Sequence, residues 1–197
     1  AVNGVINIIR KHTRATQGTM VSGIVGTHER AGATVRQGGQ ISEGGPTYRL
    51  YGKYLAREEH ERPDGTDNHG DWDGYRTGFR VDWDDAFMVS GDLYSTDSEQ
   101  FAQDFSLTAP FSFGVPETVT SSGGNISAGW NHVFDDNSVL HVRSYLDYTE
   151  REETLLSDER LLFDAELQYD FNPQDRHALT VGGAYRYIHD ELSGSDL

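Results

Sequence analysis

Leu161-Leu162-Phe163-Asp164-Ala165-Glu166-Leu167-Gln168-Tyr169-Asp170-Phe171 alternates with a period of two. The odd positions are all apolar, and the even positions are all polar except Leu162. Successive side chains of a β-strand point to opposite faces, so this stretch is a strand with one apolar and one polar side. A soluble protein buries the apolar side in a core, whereas a transmembrane β-barrel turns it toward lipid. Function depends on which case applies.

The same alternation recurs along the chain. Tyr48, Leu50, Gly52, Tyr54 and Ala56 share a face against Arg49, Tyr51, Lys53, Leu55 and Arg57. Tyr75, Thr77, Phe79, Val81 and Trp83 oppose Arg76, Gly78, Arg80 and Asp82. Similar faces follow in Phe87–Leu93, Ile126–Phe134, Leu140–Tyr148 and Leu179–Tyr187, with weaker strands at 20–26 and 33–37. The expected fold is therefore all-β, with about nine antiparallel strands and none of the ~40–50-residue repeat of a propeller.

Connection lengths alternate as well. Residues 84–86, 135–137 and 172–176 read as short turns, while 58–73, 95–123 and 150–160 read as longer loops. An up-and-down transmembrane barrel has this asymmetry, with short periplasmic turns and long outer loops. About ten residues at about 3.3 Å each, tilted about 45°, span roughly 24 Å, close to the ~25 Å apolar band of such barrels. Trp83, Phe87, Phe134 and Phe171 fall where strands meet the short turns, the place of an interfacial aromatic girdle.

Composition narrows the classes further. With 36% hydrophobic residues and a mean hydropathy of −0.62, no segment approaches the ~18 apolar residues of a spanning helix. A barrel escapes that limit because half of each strand faces a wet lumen. The net charge of −16 argues against a nucleic-acid partner, which calls for clustered cations. The absence of cysteine excludes disulfides and thiol chemistry. Residues 1–10 show no basic leader and read as a strand in progress, and residues 193–197 read as a loop cut part-way.

Ala1-Val2-Asn3-Gly4-Val5-Ile6-Asn7-Ile8-Ile9-Arg10-Lys11 resembles the closing strand of the plug domain in TonB-dependent outer-membrane receptors. Tyr48-Arg49-Leu50-Tyr51-Gly52-Lys53-Tyr54, Phe79-Arg80-Val81-Asp82-Trp83, Gly91-Asp92-Leu93-Tyr94 and 143–151 resemble barrel strands of that family, in order. The resemblance implies a last plug strand at 1–11, a linker at 12–17 and the first part of the transmembrane barrel at 18–197. The chain is then expected to be a fragment of a roughly 22-stranded plugged barrel. It implies a bacterial outer-membrane location and active import of a metal chelate, usually a ferric siderophore. The partners implied are outer-membrane lipid and the TonB energy-coupling protein, with no catalysis.

Several residues are candidates for ligand contact. Arg49, Lys53, Arg57, Arg76, Arg80 and Arg143 share the lumen-facing parity and form either a basic wall for an anionic chelate or a set of cross-strand ion pairs. In the second case Arg143 faces Asp164 or Glu166, and Arg80 lies beside Asp92. Phe101, Phe105, Phe111 and Phe113 in the expected loop 95–123 either stack on an aromatic chelator or fold the loop onto its neighbours. Asp64, Asp67, Asp71 and Asp73 in loop 58–73 supply oxygens suited to calcium, although the spacing is not that of an EF-hand. His60 and His69 in that loop read as solvent-facing. The rival readings are a passive porin, which has no plug strand, and a soluble acidic calcium-binding β-domain.

Overall fold

The computed structural model describes residues 10–59, 70–105, 107–135, 138–154, 156–174 and 177–194, with side chains at all of these except 103–105, 113, 135, 173 and 174. They form one nine-stranded antiparallel sheet in which each strand pairs with the next in sequence. The strands are β1 (Gly18–Ile24), β2 (Ala31–Gln40), β3 (Thr47–Arg57), β4 (Trp72–Trp83), β5 (Phe87–Phe105), β6 (Ser112–Asp135), β7 (Ser138–Glu152), β8 (Leu156–Gln174) and β9 (His177–Gly194). A 3-10 turn at Thr13–Thr16 precedes them. This is the all-β, up-and-down order expected from the alternation, and it is the order of part of a barrel.

The register carries the two-faced pattern across the whole sheet. One row runs Leu50, Phe79, Gly91, Ile126, Leu146, Phe163 and Tyr187, each directly opposite the next. A neighbouring row runs Arg49, Arg80, Ser90, Ser127, Tyr145, Asp164 and Arg186. Directly opposed residues of an antiparallel pair share a face, so the first row belongs to an apolar side and the second to a polar side.

Burial is inverted with respect to a soluble domain. Leu50 is 51% exposed, Leu93 62% and Ile126 45%, whereas Asp82 is 2% exposed, Ser90 0% and Asp92 4%. Among the described residues, only Ala56 and Val119 are buried hydrophobics. Folding has hidden polar groups and left a sheet-wide apolar surface without a second layer from the described residues.

Two connections are shorter than their sequences suggest. Residues 95–123, expected as a long loop, instead extend β5 to Phe105 and start β6 at Ser112. Residues 150–160, expected as a charged connection, are strand as far as Glu152 and again from Leu156. These segments lack a regular apolar alternation, although Glu117 and Val119 are nearly enclosed. Backbone pairing and β-branched residues such as Thr96, Thr118, Val119 and Thr120 sustain the ladder. Pro116, opposite Phe101, lies where β6 has only β5 beside it, a position that tolerates a missing donor. The asymmetry between sheet ends is thus carried by protruding strands as much as by loops.

Glu117 fastens the protruding hairpin sideways. Its carboxylate accepts from the Thr154 backbone N–H, and Gln100 Nε2 approaches at 3.4 Å. The Thr154 hydrogen bond holds the Glu117 carboxyl below its ordinary value, helped by nearby Arg151. A depressed native value means the contribution to stability is present above the unfolded carboxyl range and is lost as pH falls through the native value. The Thr154 amide is expected to be protected from hydrogen exchange at neutral pH and to lose that protection in acid. In Glu117→Gln the protection should no longer depend on pH, and a wild-type protection that stays constant down to about pH 2 contradicts the assignment.

At the opposite end the turns are tight. Asp84 takes a φ of 49° between β4 and β5, a left-handed conformation that aspartate tolerates. Asn131 closes this turn by donating from its side-chain Nδ2 to the Asp85 carbonyl at 2.9 Å. On the apolar face beside these turns, Trp130, His132, Phe134, Tyr169 and Phe171 form a continuous aromatic ladder, with successive ring centroids 4.6–6.1 Å apart.

Candidate functional site

The buried polar groups gather where residues 10–17 cross the polar face of β2 to β5. The anchors of this stretch are polar. Thr13 is fully buried; its N–H donates to Asp82 Oδ2 at 2.9 Å, and its hydroxyl donates to the Thr47 carbonyl at 3.1 Å. Thr16 Oγ1 donates back to the Thr13 carbonyl at 3.1 Å, which closes the 3-10 turn. Arg80 holds the same Asp82 carboxylate through Nε at 2.8 Å and Nη2 at 2.7 Å, a fork that fixes its orientation. His12 flanks Asp82 at 3.8 Å, and Arg14 pairs with Asp84 in the adjoining turn.

A second knot forms around Asp92, two same-face levels farther along the sheet, beyond the Arg80–Ser90 row. Arg10 Nη1 lies 3.3 Å and Arg76 Nη2 3.2 Å from Asp92 Oδ2, while the Tyr51 hydroxyl donates to Oδ1. Arg10 also donates to Ser90 Oγ at 2.8 Å. The chain entering the sheet is therefore tied to β3, β4 and β5 by two buried carboxylates.

Glycines make the close approach possible. A Cβ at Gly38 would fall on the Thr16 carbonyl oxygen and 3.1 Å from Gln17 Cα, both backbone atoms without a flexible end to swing aside. Gly38→Val is expected to lift residues 13–17 off β2, at a cost of about 1–3 kcal/mol from overpacking. Urea unfolding of the variant, with loss of amide protection at Thr13 but not at Phe163, checks this. Unchanged protection at Thr13 contradicts it.

The candidate residues are redistributed by these contacts. Arg80 is paired with Asp82 of its own strand, not with Asp92, and it is Arg76 that takes Asp92. Asp92 stands opposite Gly78, two residues from Arg76 and two from Arg80, and Arg80 is instead engaged by Asp82, two positions along its own strand and on the same face. Arg143 stands opposite Glu166 but forms no ion pair among the described residues, and Asp164 is taken by Arg186 at 2.8 Å. Arg49 meets no carboxylate: it donates to the Lys11 carbonyl at 3.1 Å and approaches Thr16 Oγ1 at 3.4 Å. Lys53 has no ion-pair partner among the described residues, and Arg57 lies 3.9 Å from Glu29.

The phenylalanines fall on strands and the turn between them, not on the long loop expected at 95–123. Phe101 lies within β5, and Phe111 is 68% exposed at the turn. Phe105 and Phe113 hold strand positions opposite Ser112 and Asp104, and their side chains lie outside the described residues. Of the calcium candidates, Asp64 and Asp67 lie outside the described residues, as do His60 and His69. Asp71 is already used locally, accepting the Glu59 N–H at 2.9 Å, and Asp73 is part of β4 opposite Ala56 and Asp97. Among the described residues no His, Asp and Glu cluster is arranged to hold a metal ion.

Thr13, Tyr51, Asp82 and Asp92 were not singled out by sequence reasoning as site residues. The available signal was two carboxylates on the arginine-bearing face of adjacent strands, where a purely solvated wall has no need of them. Comparison with protein-family models, curated proteins and solved structures finds no match for this chain.

Proposed function

We propose that this chain is part of an outer-membrane receptor of the TonB-dependent kind, importing a metal chelate of the ferric siderophore class. Residues 1–11 end the plug, residues 12–17 are the linker and residues 18–197 begin the barrel wall. The apolar face meets outer-membrane lipid, the polar face lines the lumen, and the protruding parts of β5 to β9 stand above the outer surface. The chain works as a transporter driven by the TonB protein, not as an enzyme.

The observation that supports this reading is the inverted burial, with a polar face that clasps the N-terminal segment and an apolar face open across every strand. A soluble sandwich or calcium-binding domain requires a second apolar layer over Leu50, Ile126 and Leu146. A passive porin has no use for an N-terminal segment bonded to its wall through Asp82 and Asp92. The aromatic ladder beside the tight turns suits a membrane interface.

The test is cellular. The full-length protein should fractionate with the outer membrane and support growth on a ferric chelate under iron starvation, and that growth should vanish in a host lacking the TonB protein. Recovery as a soluble, detergent-free monomer, or uptake that persists without TonB, overturns the proposal.

A further inference from the structure

We propose that the cleft between the linker and β2 to β5 binds a small, multiply charged oxyanion. The cleft, about 490 Å³ in volume, is lined by Arg10, Lys11, Arg36, Arg49 and Arg76 against the single carboxylate of Asp92. Such a gathering of cations stands out in a chain of net charge −16.

The hydrogen bonds leave this charge uncompensated. Asp92 is shared by Arg10 and Arg76, so its one negative charge is already spent twice over. Arg49 spends its donors on a backbone carbonyl and a hydroxyl, neither of which carries charge. Arg36 Nε is enclosed and has no hydrogen-bond partner among the described residues, a donor that has lost water without replacing it. Mutual repulsion among cations confined to one cleft destabilises the linker's seat, and a bound oxyanion relieves it.

The chemistry of the lining selects the ligand class. Guanidinium forks match the paired oxygens of phosphate or carboxylate groups, and several forks round one cleft favour a ligand with more than one such group. Across the same face, Asp147 on β7 has no ion pair among the described residues and disfavours an anion there, so the basic side is the place for one. The inference concerns the cleft alone and holds whether or not a metal chelate crosses the lumen.

The test uses the full-length protein in detergent micelles, with inorganic pyrophosphate and the metal-free tricarboxylate tricarballylate as separate probes. At least one is expected to raise the unfolding temperature and to bind with an affinity that falls as salt rises from roughly 50 to 500 mM. The arm that responds identifies phosphate or carboxylate as the source of the oxygens. Arg36→Gln and Arg49→Gln should each weaken binding about tenfold or more. Arg160→Gln, whose guanidinium pairs with Asp190 away from the cleft, should bind as the parent does. Met20 also lines the cleft, and Met20→Glu supplies an internal carboxylate, so it should abolish binding while keeping the fold. This variant carries the comparison if an arginine substitution fails to fold. Binding unchanged in the folded variants, or equal stabilisation by chloride at matched ionic strength, overturns the proposal.

Discussion

Replacing Ile126 with arginine is expected to destabilise the protein in lipid vesicles by about 2–4 kcal/mol, the cost of a cation at the midplane of a barrel's lipid face. Ile126 lies midway along its strand between the aromatic level of Trp130 and the level of Ser122, which registers through Ser95 with Tyr75. Ser122→Arg, on the same face but at the rim, should cost only about 0–1 kcal/mol. Asn125→Arg, one residue away on the other face, places a guanidinium between Asp92 and Asp147 and should be neutral to within about 0.5 kcal/mol. Urea unfolding of the variants in vesicles of defined composition measures all of them.

The gradient along one strand carries the distinction. A protein core would punish Ile126→Arg too, but its penalty follows local packing and has no reason to fall smoothly toward Ser122. A face open to water would show no penalty at all, because an exposed isoleucine gains nothing by staying apolar. Equal effects at Ile126 and Ser122, or a tolerated Ile126→Arg, would remove the ground for a lipid-facing sheet.

The parts of this fold that were legible in the sequence are those where a strand has one apolar and one polar face. Leu161–Phe171 and Tyr75–Trp83 announce their strands because one face of each must be apolar, and the tight turn at 84–86 interrupts the pattern abruptly. The outer halves of β5 and β6 were not legible. Between Ser95 and Gly123 the sequence shows no sustained apolar alternation, so the ladder rests largely on backbone pairing and leaves little periodic trace. The arginines of the wall were legible as a group but not by partner. Pairing depends on which groups compete for each guanidinium: Asp82 takes Arg80, Asp92 is left to Arg76, and Arg49 meets a carbonyl. The seat of residues 10–17 was least legible, since its anchors are threonines and carboxylates distributed over 34 to 69 positions of separation.

Asp82→Ala tests that seat directly and should be the most damaging single change on the polar face. Asp82 is almost wholly enclosed, and its partner Arg80 is 14% exposed, so removing the carboxylate strands a guanidinium with little water to reach. Breaking such a pair from one side costs about 3–5 kcal/mol, mostly the penalty of the orphaned charge rather than the net worth of the pair. The Thr13 N–H loses its acceptor as well, so amide protection should collapse at Thr13 while persisting in β7 and β8. Arg80→Met in the same background removes the stranded charge and should recover roughly half of the loss, whereas Arg80→Met alone leaves Asp82 held by Thr13 with His12 at 3.8 Å and should itself be costly. A double-mutant cycle from urea unfolding supplies the coupling energy. If Asp82→Ala and Arg80→Met add without coupling, the buried knot does not hold the linker to the wall. If they couple and Thr13 exchanges freely in Asp82→Ala, the chain entering the sheet is fastened at residues 10–17 by buried charge.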